Sequence, residues 1–182
     1  PVEWVRINDP LAKSTKTKIQ GKKIGASIFN GGEGIIFTND KNLTTNIFFT
    51  CKKGGKAGLG QIWKYSPLKS EISLFYESDN ANNLWEGDNI NITPWGDLII
   101  CEDNGSNACK LIGCPPNGTL YPLGRVAGNS SSEIAGICFS PDGKNMYLNI
   151  QDRGKTIAVT GDWNKIREYR DQLDSDIVHH ET

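Results

Sequence analysis

The chain has 182 residues, with 20 Lys plus Arg against 21 Asp plus Glu, a formal charge of −1 that excludes the basic footprint of a nucleic-acid binder. Hydrophobic residues are 37% and charged residues 23%, which is globular rather than disordered usage. No apolar run approaches the roughly 18 residues that a membrane span needs, and Pro1 is followed by no charged-then-apolar leader, so a processed product or a fragment is expected.

Twenty glycines and 17 asparagines favour turns, because both residue types tolerate positive φ. Residues 1–30 carry weak periodicity and read mostly as loop, with Lys13, Lys16, Lys18, Lys22 and Lys23 as a solvated face. Strand-like runs rich in Ile, Phe, Tyr and Thr then follow closely. They are expected at 34–38, 46–51, 60–65, 72–77, 89–93, 97–101, 110–114, 119–123, 135–139, 145–150 and 156–160. The spacing of Ile166, Tyr169, Arg170 and Leu173 predicts one helix, over Trp163–Leu173.

Three turns share a Pro-x-Gly pattern, at Pro94-Trp-Gly96, Pro116-Asn-Gly118 and Pro141-Asp-Gly143. Proline fixes φ early in such a turn and glycine supplies positive φ later. The strands group in fours, at 34–77, 89–123 and, one strand short, 135–160. The expected fold is therefore all-β: a partial β-propeller of about three four-stranded blades with a short C-terminal helix. The expected organisation is a loop-rich segment at 1–32, the partial propeller at 33–162, and a helix with a polar tail at 163–182. Propellers close with roughly four to eight blades. Three blades leave the ring open, so the C-terminal part of a longer propeller is expected, and the open edges offer a route to self-association.

Cys51, Cys101 and Cys138 lie in apolar runs and read as small buried hydrophobes, while Cys109 and Cys114 are close enough in sequence to pair locally but are expected not to. There is no C-x-x-C. Asn42, Asn91, Asn117 and Asn129 open N-x-Ser/Thr sequons, which arise by chance in an Asn-rich chain. Both histidines, His179 and His180, sit in the terminal tail and read as neither ligands nor catalysts.

The acidic residues carry more information. Glu33 precedes the first strand of the first group, Asp88 and Asn89 open that of the second, and Glu133 precedes that of the third. If first strands are innermost, these residues present oxygen ligands at one level around an axis. The second strand of the middle group returns to the same face, so Glu102 and Asp103 are expected to join them. Crowded carboxylates repel and are costly without cations. Hard oxygen donors suit calcium, magnesium, manganese or ferric iron. Asp97, Asp142 and Asp162 read as structural turn residues. There is no G-x-S-x-G, H-E-x-x-H or P-loop, so any catalysis would be metal-assisted. Lys52, Lys53 and Arg125 are candidate anion clamps.

Several stretches resemble the C-terminal half of PhoX-type alkaline phosphatases. They are Glu33–Asn39, Phe49–Lys52, Gly58–Tyr65, Asp88–Asn104, Glu133–Gly143 and the closing Thr160–Trp163, so the resemblance spans roughly residues 30–163. It implies a secreted or periplasmic phosphomonoesterase with a six-bladed propeller and an axial site of ferric iron and calcium. It further implies that Glu33 and Glu133 are the catalytic carboxylates reaching iron. Asp88, Asn89, Glu102 and Asp103 are then calcium-site residues. The substrate implied is a phosphate monoester. The family's N-terminal half, with its cysteine ligand to iron, has no counterpart in this sequence, so little or no phosphatase activity is expected of this chain alone. Two other readings compete: a calcium-dependent lactonase-like propeller, and a non-enzymatic propeller fragment that binds a partner.

Overall fold

In the computed structural model, residues 1–39, 45–105, 108–128 and 132–180 are described. The sequons at Asn42 and Asn129 and the side chains of His179 and His180 lie outside the described residues. The chain builds three antiparallel sheets. The first contains β1 (Gly32–Asn39), β2 (Thr45–Cys51), β3 (Gln61–Ser66) and β4 (Glu71–Glu77) in sequential order. The second contains β5 (Gly87–Ile92), β6 (Leu98–Glu102), β7 (Lys110–Cys114) and β8 (Tyr121–Arg125), again in order. The third contains β9 (Ile134–Phe139), β10 (Asn145–Ile150) and β11 (Lys155–Thr160). The expected four-four-three grouping is therefore observed, and among the described residues the sheets do not close into a barrel.

Gly96, Gly118 and Gly143 have φ of +94°, +86° and +69°, so the Pro-x-Gly turns use glycine for the reason the sequence gives. The second sheet lies between the other two, and β6 shows how. All five of its residues are buried. Successive side chains of a strand point to opposite faces. Leu98 and Ile100 pack with Phe48, Ile62 and Ile90 toward the first sheet, while Ile99 and Cys101 pack with Ile134, Met146 and Leu148 toward the third. The first strands of the sheets are neighbours: β1 packs on β5, and β5 on β9.

Residues 1–30 are mostly loop, as expected, with one short helix that the sequence reading did not place, α1 (Thr17–Lys23). The Gln20 side chain braces it by donating to the Asp9 and Thr15 carbonyls. The C-terminal helix α2 runs further than expected, over Trp163–His180, because no glycine or proline stops it. Its packed side is set by Trp163, Ile166, Arg170 and Leu173, whereas Tyr169 is 43% exposed. Cys138 is exposed, because alternation along β9 turns its neighbour Ile137 into the core instead. Cys109 and Cys114 are unpaired, as expected, and sit in different cores on opposite sides of the second sheet.

Candidate functional site

The carboxylates gather where β5 begins and β6 ends. One oxygen each from Asp88, Asp103 and Glu133 lies within 4.8 Å of the others. Lys52, just beyond β2, enters the same cluster. Its ammonium bonds Asp103 and stands 3.8 Å from Asp88 Oδ2.

Backbone irregularities aim these groups. In β5 the two residues Asp88 and Asn89 face Cys101 alone, a bulge between Gly87 and Ile90. The matching bulge in β1 holds Glu33 and Gly34 opposite Thr50. Thr50 ties the two together: its hydroxyl accepts from Gly34 N–H at 2.9 Å and donates to the Asp88 carbonyl at 2.7 Å. Gly34 is required there, since a Cβ would sit 2.5 Å from the Asp88 carbonyl oxygen. From the other side, Asn89 donates to Asp88 Oδ1 at 2.7 Å and accepts from Gly136 N–H at 2.8 Å. Asn89 thus orients Asp88 while linking the second sheet to the third.

The register revises the expected equivalence among blades. Just before each first strand, a carbonyl accepts from the residue following the second strand: Gly31 from Lys52, Glu86 from Asp103, Glu133 from Gln151. By this pairing Glu133 corresponds to Glu86, and Glu33 to Asp88. All four lie at the same end of the sheets, but at two levels.

The expected ligands therefore part company. Asp88, Asp103 and Glu133 converge, with Asn89 against Asp88. Glu33 is exposed and lies outside the group. Glu102 is fully buried and turned away from Asp103, as adjacent strand residues must be. Its oxygens accept from the Trp85 and Lys110 backbone amides at 2.8 and 2.9 Å and from Asn104 at 3.1 Å, and Lys110 Nζ lies 3.2 Å away. That is a complete set of partners. Of the candidate clamps, Lys52 is in the cluster, Lys53 pairs with Glu86, and Arg125 is exposed at the end of β8. Lys52 is more central than its sequence position announced. The polar Thr50 inside the apolar run Asn46-Ile-Phe-Phe-Thr-Cys51 was the available sign that this strand end meets polar backbone.

Three carboxylates face one ammonium, and the imbalance is visible in Glu133. Its carboxyl is pushed up to about 7, first by burial, then by the hydrogen bond with Asp103 and the charges of Asp103 and Asp88, with Lys52 opposing. Burial works against the charge on Lys52, but the Asp103 hydrogen bond and the Asp103, Asp88 and Glu86 charges hold its pKa above the ordinary value. The Cys101 thiol, opposite the β5 bulge, is pushed upward by burial and then by the charges of Asp88 and Glu133.

The donor set fits a hard cation. The centre of a triangle with sides of at most 4.8 Å lies no more than about 2.8 Å from each corner. Bonds to calcium of roughly 2.3–2.6 Å and to magnesium of roughly 2.0–2.1 Å both lie inside that limit. A second charged cluster, at the opposite end of the sheets, is structural. Asp97 is 1% exposed and accepts from Tyr121 OH at 2.8 Å, Trp95 Nε1 at 3.0 Å and Arg170 Nη1 at 2.8 Å. It fastens α2 to the second sheet.

An all-β protein whose adjoining sheets converge three carboxylates and a lysine has the makings of a cation-dependent anion site. The family description "Alkaline phosphatase PhoX" matches residues 1–154, and the chain belongs to that family of phosphate monoester hydrolases. No curated protein matches it.

Proposed function

We propose that this chain is part of a metal-dependent phosphomonoesterase in which Asp88, Asp103 and Glu133 hold the catalytic cation. The observation that carries this is their convergence within 4.8 Å beside Lys52, in a chain of the PhoX family. Calcium and ferric iron are both hard ions that oxygen donors suit; calcium is assigned to the Asp88 and Asp103 side and iron to the Glu33 and Glu133 side. Bound there, the ions would neutralise the carboxylates, draw phosphoryl oxygens and activate an oxygen nucleophile.

The chain's own groups have definite tasks. Asn89 keeps Asp88 oriented, and Thr50 fixes the backbone that carries it. Lys52 holds the carboxylates together in the absence of a cation. Once its partners engage an ion, its ammonium is the donor placed to meet a phosphoryl oxygen. A cation bound there would favour the ionised form of Glu133.

We further propose that the three sheets are blades of a propeller. Sequential up-and-down strands and neighbouring first strands support that reading. A ring of three does not close, so further blades complete both ring and metal site, and the chain alone turns over little phosphate monoester. A periplasmic or secreted location accords with the family. No described helix is long and apolar enough to cross a membrane.

The test is a metal count by elemental analysis after dialysis, followed by calcium titration and assays with an aryl phosphate and a lactone. Calcium uptake that Asp103→Asn abolishes supports the reading. Lactone turnover without phosphatase activity in a chain that includes the missing blades would replace it with a lactonase, and uptake indifferent to Asp103→Asn would remove this site.

A further inference from the structure

A cleft of about 470 Å³ opens between the first and second sheets at the end remote from the carboxylates. Ile92 lines it, four residues along β5 from Asp88, roughly 13 Å away at strand rise. Its floor is apolar: Phe48, Phe75, Leu98 and Cys114. Trp95 forms part of the wall. The volume falls in the range of small-molecule sites, roughly 300–1,000 Å³, which combine an apolar lining with a few placed polar groups.

The polar residues here are Thr38, Asn46, Asp97 and two cations, Lys64 and Arg170. Arg170 reaches the cleft from α2, but Asp97 and Asp171 neutralise it. Lys64 lines the cleft from β3, with its ammonium 5.9 Å from the Phe48 ring centroid. Among the described residues it has no carboxylate within ion-pair distance. A lysine poised over an aromatic floor offers charge to a ligand whose body is apolar. We propose that this cleft binds a small amphipathic organic anion, its hydrocarbon or aryl body on Phe48, Phe75 and Leu98 and its carboxylate or phosphate on Lys64. The site is separate from the metal cluster and does not depend on the phosphatase reading.

Decanoate is a suitable probe, with decanol as its uncharged counterpart. Titration of the whole chain is followed by the ¹⁵N-indole resonance of Trp95, assigned through Trp95→Phe. The expected result is saturable one-to-one binding of decanoate that shifts this resonance. Decanol and the Lys64→Gln variant should each weaken binding about tenfold, the loss of one charged contact. Lys64→Gln is half-exposed and leaves the sheet pairing intact, so a folding defect does not obscure the result. Absence of a Trp95 shift overturns the proposal. So does equal binding of decanol and decanoate, or unchanged affinity in Lys64→Gln, since either would show apolar adsorption without anion recognition.

Discussion

Two neighbouring residues of the second sheet, Glu102 and Asp103, carry the same charge into opposite circumstances. Glu102 is fully buried, yet two backbone amides, the Asn104 amide and Lys110 satisfy it. Asp103 is half-buried beside two further carboxylates and shares one ammonium with them. A buried carboxylate with all its partners is a structural element. A crowded one short of positive charge is a binding element, because only a further cation relieves it. Burial alone does not separate the two roles; the count of donors around each oxygen does.

The comparison breaks if the two residues respond alike to substitution. Glu102→Ala leaves the Trp85 and Lys110 amides without their acceptor and removes the carboxylate partner of the Lys110 ammonium, which keeps the Ala81 and Asn82 carbonyls. Loss of one partner from such a pair costs about 3–5 kcal/mol, so urea unfolding should show a large loss. Asp103→Asn keeps the shape and removes one of three like charges. Its effect on the metal-free protein should stay within about 1 kcal/mol. Equal destabilisation by both would mean that Asp103 is structural too.

Calcium sharpens the same contrast. At roughly one hundred times its Kd, a ligand specific for the folded state adds about 2.7 kcal/mol. For a chain of this length that is a Tm rise of roughly 5–10 °C. Differential scanning calorimetry should show this rise in the unmodified chain, its reversal by chelator, and its absence in Asp103→Asn. A calcium response that survives the substitution would place the cation elsewhere.

Gly34→Ala tests the scaffold. The new methyl would enter the space of the Asp88 carbonyl, 2.5 Å away, and the Ile90 amide, 2.9 Å away. Backbone cannot yield as a flexible side chain can, so about 1–3 kcal/mol should be lost. The calcium response should fall with it, since the same bulge aims Asp88. A full calcium response in this variant would detach the site from the β1–β5 contact.

How legible was this from sequence? The three sheets were, because apolar alternation and the Pro-x-Gly turns are local signals that tertiary packing did not override. Asp88, Asp103 and Glu133 were legible as a group because strand ends place residues at one end of a sheet. Separating Asp103 from Glu102 was not, since it depends on which of two adjacent residues faces the core. The Glu33–Asp88–Glu133 equivalence failed by register, because Glu133 stands two residues earlier against its partner strand than Glu33 and Asp88 do, and no distinctive residue type marks the offset. The inner bulge of β9 falls at Gly136–Ile137, not at Glu133. Cys138 misled because an apolar run gives no sign of which alternate residue faces out. Helix α1 was missed because seven residues with a central glycine carry little periodicity.

The smallest expected effect is the most discriminating. Thr50→Val keeps the volume and removes the hydroxyl that joins Gly34 N–H to the Asp88 carbonyl. Two buried backbone groups lose a partner, which should cost about 1–2 kcal/mol. Thr50→Ser keeps the hydroxyl and removes one buried methyl, about 0.8 kcal/mol. The two variants are thus close in stability but differ in what they do to the bulge. If Thr50 serves the site by holding the Asp88 backbone, calcium affinity by titration calorimetry should drop several-fold in Thr50→Val and stay unchanged in Thr50→Ser. Equal affinities would confine Thr50 to packing and leave Asn89 as the residue that orients Asp88. A loss in both would mean that the methyl, not the hydroxyl, sets the approach of β1 to β5.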